Sequence, residues 1–175
     1  VEGMTAVVNV GSSSTQVSLV RDGDYLYTRE IALAGEEYSR QVMDIMQVDR
    51  DNAESLKLSA SSGAGGVPED LQTILNEVNE QLVSEIHLAI DYYYQSGEYI
   101  NDPPPLASGY LTGGGSRTLG LDAAMAAALQ VPVQVVNPFQ RVEINPKRFE
   151  MDYILAQGHL YGVAVGLALR EMNDA

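Results

Sequence analysis

The chain has 175 residues and a mass of 18.9 kDa, which corresponds to one domain of ordinary size. Its hydrophobic content of 45% is enough for a folded core and excludes a disordered tail. With 10 Lys and Arg against 24 Asp and Glu, the net charge of −14 argues against nucleic acid or an anionic membrane surface as the main partner.

The chain contains no cysteine, which excludes a disulfide scaffold, a thiolate metal site and a cysteine nucleophile. Its two histidines, His87 and His159, lie far apart in sequence, so a site built on several histidines is not favoured. No apolar run has the length of a membrane span, and no segment has the pattern of a secretory signal. We therefore expect a soluble, cytoplasmic domain that does not insert into a membrane.

The first third of the chain predicts an antiparallel meander of three strands. Apolar and alternating runs are separated by Gly11 and by Asp22-Gly23, a dipeptide typical of tight hairpins. Gly35 ends the meander. The predicted strands cover residues 5–10, 15–21 and 24–33.

The middle of the chain predicts helices around a small insert, which we place at residues 47–67. Apolar side chains recur at helical spacing, and Asp49 is suited to cap the second helix. The predicted elements are helices at 36–46 and 49–58, a mobile Ser/Gly loop at 59–66, and a long helix from Pro68 to about Tyr94.

The last third predicts alternating strands and helices. The final helix carries Gly158, Gly162 and Gly166 four residues apart, which favours tight packing of that helix on a sheet. The predicted elements are a rigid connector at 102–105, a strand at 107–112, a helix at 119–129, a strand at 131–136, and a helix from Ile154 to Met172. Three antiparallel strands followed by α/β units, with helices on both faces of the sheet, are the order of the ribonuclease H-like fold of the actin and Hsp70 superfamily.

Two loops are candidates for a binding site. The first, Asn9 to Thr15, joins two strands through a glycine and small hydroxyl side chains, which suit an anion. The second, Thr112 to Arg117, places three glycines between a strand and a helix, which allows close approach of a flat ligand. Each loop alone is also explained as an ordinary turn. Loops at the carboxyl ends of parallel strands open on one sheet edge, so together they predict a phosphate site beside a nucleoside site.

The sequences NVGSSSTQVSLVRDG and LTGGGSRTLGL resemble the second phosphate loop and the adenosine loop of actin-like ATPases. Three further stretches, Leu33–Glu36, Val136–Phe139 and Val163–Arg170, resemble the PilM family of type IV pilus assembly proteins, relatives of the cell-division protein FtsA. The resemblance covers only the second half of that fold, and the chain begins at Val1 without an initiator Met. We therefore expect a fragment of a longer protein.

The resemblance implies roles for individual residues. It implies that ATP and Mg²⁺ bind in a cleft shared with the missing half, and that Asn9 contacts the metal through water. It places near the β- and γ-phosphates Gly11, Ser12, Ser13, Ser14 and Thr15. It places around the ribose and adenine Gly113, Gly114, Gly115, Ser116 and Arg117, with Gly35 bordering the same cleft. Ser84 and His87 lie on the helix face that relatives turn toward the ribose, and we interpret His87 as a surface or partly packed histidine rather than a ligand contact.

Asn9 stands where many actin-like relatives have Asp. An amide cannot act as a carboxylate base, so we expect slow hydrolysis or none and name no catalytic residue. The resemblance implies the partner PilN and other pilus machinery proteins, reached mainly through the missing half at the inner face of the inner membrane. Homo-oligomerisation is left open. The alternatives are an active ATPase or phosphotransferase, and a structural module that has lost nucleotide.

Overall fold

A mixed five-stranded sheet forms the centre of the protein, in a computed structural model that describes residues 3–63, 66–96 and 104–170. The strand order is β3-β2-β1-β4-β5. The strands are β1 (Met4–Val10), β2 (Thr15–Arg21), β3 (Asp24–Ile31), β4 (Leu106–Thr112) and β5 (Val133–Val135). The first three strands are antiparallel, and the turn between β2 and β3 has Asp22 and Gly23 at positive φ, as the hairpin signal predicts.

The helices pack mainly on one face of this sheet. They are α1 (Gly35–Met46), α2 (Arg50–Ser62), α3 (Glu69–Ser96), α4 (Leu121–Leu129), α5 (Met151–Gln157) and α6 (Gly162–Ala168). Alternate residues of β1 are fully buried and join one core cluster with the apolar stripe of α3. On the opposite face, the start of α6 contacts β4, where Gly162 lies against Thr112. Three antiparallel strands followed by the parallel strands β4 and β5 are the arrangement expected from the sequence for the ribonuclease H-like fold.

The meander, α1 and α3 lie close to their predicted bounds, but the predicted Ser/Gly loop is partly wrong. Its first four residues continue α2 to Ser62, and Gly63 ends the helix at a φ of +68°. The hydroxyls of Ser59 and Ser61 donate to the carbonyls of Leu56 and Lys57, so these side chains are satisfied within the helix. Residues 64–65 of that loop and 102–103 of the predicted connector lie outside the described residues.

The helix predicted from Ile154 to Met172 is also partly wrong. Two short helices, α5 and α6, flank a 3₁₀ turn at Gly158–Tyr161, and residues 171–175 lie outside the described residues. The carbonyl of His159 accepts hydrogen bonds from the Gly113 amide and the Thr112 hydroxyl. These bonds tie the helical turn to β4, so the chain leaves regular α geometry at this point.

The glycine spacing of this segment has a packing role at two of its three positions. A Cβ on Gly158 would lie 2.7 Å from the Asn137 side-chain oxygen, and one on Gly162 would collide with the Thr112 hydroxyl. A Cβ on Gly166 would meet nothing within 4 Å. Among the described helices, none combines the length and apolar character needed to cross a bilayer.

Candidate functional site

The two candidate loops meet at one edge of the sheet. Strands β1 and β4 are parallel neighbours, and Asn9 stands opposite Thr112 in their register. Both strands therefore end at the same level, and the loops that follow them open side by side. The expectation that these loops share one edge is confirmed by this pairing.

The first loop is a tight turn held against the start of α1. The Gly11 amide donates to the Ser14 carbonyl at 3.0 Å. The amides of Gly35 and Glu36 donate to the carbonyls of Gly11 and Ser12 at 3.0 and 2.8 Å. These bonds attach the loop to the amino end of α1. The side chains of Ser12 and Ser13 stay exposed at the mouth of this turn.

The three glycines of the second loop differ in how much space a side chain would have at each position. Gly113 has a φ of +88°, and a Cβ there would lie 2.5 Å from the Val10 carbonyl oxygen. A Cβ on Gly115 would lie 2.5 Å from Cγ1 of the fully buried Val10. A Cβ on Gly114 would meet only Leu160 Cδ2, at 3.8 Å. Two of the three glycines are therefore required by packing on β1, and only Gly114 has open space above it.

Between the loops lies a cavity of about 460 Å³, within the range that small-molecule ligands occupy. Predicted site residues on both loops and at the start of α1 line it. They are Gly11, Ser12, Gly35, Gly114, Gly115 and Arg117. The two loops predicted from the sequence thus form one continuous wall of this cavity.

Other predicted site residues do not line this cavity. The Thr15 hydroxyl is buried and donates to the Leu33 carbonyl at 2.7 Å, and the buried Ser116 hydroxyl donates to the Gly113 carbonyl at 2.7 Å. Both hydroxyls therefore hold the loops in shape. The remaining four at this edge, beside the cavity, are Asn9, Ser13, Ser14 and Gly113.

The two predicted residues on α3 lie elsewhere. Ser84 lines a separate shallow groove with Leu33 and Glu80. The exposed His87 lies 3.6 Å from the Asp91 carboxylate, one helical turn further along α3. The structure does not bring this helix face to the cavity, because α3 buries its apolar stripe against the sheet.

The helix that does reach the cavity is α2, which the sequence reasoning did not consider. It contributes Glu54, Lys57, Leu58, Ser61 and Ser62 to the lining. The Lys57 ammonium donates to the Gly35 carbonyl at 3.1 Å, to the Ser39 hydroxyl at 2.6 Å, and to Glu54 at 3.1 Å. All three ammonium hydrogens thus have acceptors, and this network fixes α2 against α1 beside the first loop.

The charges of this network are set by its hydrogen bonds. Burial raises the pKa of the Glu54 carboxyl, but the hydrogen bonds from Ser39 and Lys57 together outweigh it, and the pKa lies below its ordinary value. The Glu54 carboxyl is therefore ionised at neutral pH, beside the Lys57 ammonium at the cavity wall. The Glu54–Lys57 spacing of three residues, after a helix cap at Asp49, is the sequence signal that places them on one helix face.

The C-terminal segment closes another side of the cavity with Gln157 and His159. Burial, and then the Arg117 guanidinium, lower the pKa of the His159 imidazole, which is therefore neutral at pH 7. Arg117 donates to the Ala156 carbonyl at 3.1 Å, which holds its guanidinium between the second loop and α5.

The metal expectation rests on Asn9 alone. A Cβ on Gly113 would collide with the Asn9 side-chain oxygen, so this amide lies directly beneath the second loop. Within residues 3–63, 66–96 and 104–170, no group of three or more His, Asp or Glu side chains is arranged to hold a metal.

The sequence profile of one family, described as "Type IV pilus assembly protein PilM", matches residues 1–172. The chain belongs to the PilM family. A solved structure of a "PilM-PilN type IV pilus biogenesis complex" superposes on this PilM-family chain with a TM-score of 0.80 and 28% sequence identity, over 97% of this chain and 46% of that one.

Two further proteins are similar to this chain at lower sequence identity. The cell shape-determining protein Mbl of Bacillus subtilis is 24% identical over 168 residues, covering 79% of this chain and 50% of Mbl. MreB 5 of Spiroplasma citri, solved bound to AMPPNP, superposes with a TM-score of 0.63 at 12% identity, over 96% of this chain and 52% of MreB 5. This PilM-family chain therefore spans about half the length of the relatives that it matches.

Proposed function

We propose that this chain forms one wall of a nucleotide site that binds ATP with Mg²⁺, as half of a PilM-type scaffold of type IV pilus assembly. The observation that carries the proposal is the cavity between the two loops, with Gly114 open toward it. The family match and the actin-like fold support this use of the cavity. The AMPPNP complex of MreB 5 supports a nucleotide as the ligand.

The first loop suits the phosphates. Small side chains at Gly11, Ser12 and Ser13 leave room for an anion, and exposed serine hydroxyls supply donors. The cavity wall carries two basic side chains, Lys57 and Arg117, in a chain of net charge −14, and the Glu54 carboxylate offsets one of them. These basic side chains reduce the repulsion that the net negative charge of the chain exerts on a polyphosphate.

The second loop suits the nucleoside. Gly114 allows a flat base or sugar to approach the backbone, and Arg117 lies beside it, held by Ala156. Glu54 is ionised at neutral pH and lines the same cavity, where a carboxylate would accept hydrogen bonds from ribose hydroxyls.

Slow hydrolysis, or none, follows from the residue types at this edge. Bound Mg²⁺ would supply charge neutralisation of the phosphates, with Asn9 orienting its water. Asn9 is neutral and cannot take a proton from an attacking water. We therefore favour a scaffold that responds to nucleotide over an active ATPase or phosphotransferase. The Asn9→Asp substitution should raise ATP turnover of the complete protein, and an unchanged rate would refute a limiting role for Asn9.

The proposed partner is PilN, because a PilM–PilN complex is the structural neighbour with a TM-score of 0.80. We propose contact mainly through the part of PilM-type proteins that this chain does not span, at the cytoplasmic face of the inner membrane. Titration of the PilN cytoplasmic tail into this chain and into the complete protein tests this. Equal affinity for both would place the contact on this half instead.

The nucleotide proposal is tested by calorimetric titration of Mg-ATP into the 175-residue chain and into the protein expressed from its complete coding sequence. We expect measurable affinity for the complete protein and much weaker affinity for the chain alone. Gly114→Val should abolish that affinity while the protein stays folded. If folded wild-type protein binds no Mg-ATP in either form, the site is vestigial and a purely structural module becomes the better explanation.

A further inference from the structure

A pair of buried polar side chains, Tyr38 on α1 and Asn79 on α3, crosses the apolar core. Both are almost completely shielded from solvent. The Tyr38 hydroxyl donates to the Asn79 side-chain oxygen at 2.9 Å, and the Asn79 side-chain nitrogen donates to the Leu119 carbonyl at 2.9 Å. Asn79 therefore links the first turn of α1 to the residues between the second loop and α4.

An amide at this position of α3 needs an explanation, because the rest of the buried face of this helix consists of apolar and aromatic side chains. An amide buried without partners would destabilise the protein, whereas an apolar residue of similar size would fill the same space. The Asn79 amide offers one acceptor and one donor, and each has a partner on a different part of the fold. A satisfied polar group of this kind fixes one arrangement of the elements that it joins.

The Tyr38 end of this bridge reaches the first loop. Tyr38 lies in the first turn of α1, where the amides of Gly35 and Glu36 donate to the carbonyls of Gly11 and Ser12. A displacement of the Tyr38 ring therefore displaces the helix turn that holds the first loop.

The Leu119 end reaches the second loop. The residue before it, Thr118, donates to the Gly115 carbonyl with its amide at 3.1 Å and with its hydroxyl at 2.9 Å. The residue after it, Gly120, passes close to the bridge, since a Cβ there would lie 3.6 Å from the Asn79 side-chain nitrogen. The end of the second loop is therefore held from both sides of Leu119.

We propose that Asn79 is a positioning residue, which holds the two loops of the nucleotide site at a fixed separation through the core. Neither Tyr38 nor Asn79 lines the cavity, so their effect on a ligand passes through the loops. The cavity wall is then preformed, and less conformational freedom is lost when a nucleotide binds. The restraint on the second loop does not depend on a ligand, and only its effect on affinity rests on the proposed nucleotide site.

Amide hydrogen exchange without nucleotide tests the restraint, in the protein from the complete coding sequence. The reporters are the amides of Gly113, Ser116 and Thr118, whose hydrogen bonds hold the second loop in shape. Asn79→Leu should speed their exchange about tenfold, the effect of one lost buried hydrogen bond. Tyr38→Phe, which deletes only the hydroxyl on α1, should speed it about threefold.

Thr5→Val is the matched control. It removes a hydroxyl that lies 3.0 Å from the Ser108 hydroxyl, between the two strands that carry the loops but at their other end. It should destabilise the protein without speeding the exchange of the loop amides relative to the amides of β1. If Asn79→Leu and Tyr38→Phe speed loop and strand amides only in proportion, or not at all, the proposal is overturned. Tyr38→Phe alone decides this if Asn79→Leu does not fold.

Calorimetric titration of Mg-ATP tests the effect on affinity, at a temperature where every variant is folded. Affinity should fall about tenfold in Asn79→Leu and about threefold in Tyr38→Phe, and should not change in Thr5→Val. Faster loop exchange with wild-type affinity would overturn the role in nucleotide binding. Faster loop exchange with no Mg-ATP binding in any protein, wild type included, would support the restraint and refute the nucleotide site.

Discussion

Alanine substitution should separate two glycines of the same loop. In Gly115→Ala, the new Cβ would lie 2.5 Å from Val10 Cγ1 and 3.2 Å from Val10 Cβ, well inside ordinary van der Waals contact. Val10 is fully buried at the end of a central strand and has a stiff β-branched side chain, so it cannot move aside freely. Overpacking of this kind costs about 1–3 kcal/mol.

Gly114→Ala should behave differently, although the residue is adjacent. Its new Cβ would make one ordinary contact, 3.8 Å from Leu160 Cδ2, and its φ is not in the left-handed region. Replacing glycine at a compatible position stabilises a protein by about 0.4–1 kcal/mol, because the unfolded chain loses freedom.

Thermal unfolding of both variants is the assay, and urea titration at constant m-value confirms it. For a domain of this size, each kcal/mol shifts Tm by about 2–4 °C. We expect Gly115→Ala to lower Tm, and Gly114→Ala to leave it unchanged or slightly higher. Equal Tm values for the two variants would refute the reasoning that packing on Val10, and not the ligand, requires glycine at position 115.

Three further predictions concern buried or partly buried polar groups. Tyr38→Phe should lower the free energy of unfolding by about 1–3 kcal/mol in urea, because the buried Asn79 oxygen loses a donor at 2.9 Å; a change below about 0.5 kcal/mol would contradict this. Lys57→Met should lower Tm and raise the pKa of Glu54 in a carboxyl NMR titration, and an unmoved pKa would show that Lys57 does not stabilise the carboxylate. The folded chain lowers the pKa of His159 below its ordinary 6.5, so its contribution to stability is full above pH 6.5 and is lost as the pH falls through the folded pKa. His159→Gln should therefore flatten the pH dependence of Tm below pH 6.5; an unchanged slope would assign it to other groups.

Much of the fold followed from local pattern. Alternating apolar residues in β1 and β2 and the Asp22-Gly23 turn predict the meander, since a strand with one buried face must repeat every two residues. The long apolar stripe of α3 predicts a helix that covers the sheet. The serines at residues 59–62 favour a loop by composition but form a helix in the structure, because serine hydroxyls can satisfy helix carbonyls as well as favour turns.

For the glycines of the second loop, the structure gives a different reason from the one that the sequence suggests. Three successive glycines predict that the backbone closely approaches another group, and from the sequence alone that group is expected to be a ligand. The structure shows that Gly113 and Gly115 approach the end of β1 instead. Packing would therefore require Gly113 and Gly115 even in a site that has lost nucleotide. Only at position 114 would a requirement for glycine indicate a bound nucleotide.

By itself, the sequence determined the order of strands and helices, the family, and the two loops at one sheet edge. Each depends on periodicity or on short motifs, which are local properties of the chain. Only the tertiary structure decided that α2, and not α3, reaches the cavity, and that the C-terminal helix breaks at His159. Both depend on contacts between residues distant in sequence: Lys57 with the Gly35 carbonyl, and His159 with the end of β4. The physical reason is that the packed fold determines which distant groups come within hydrogen-bonding distance. Local sequence patterns carry no information about these contacts.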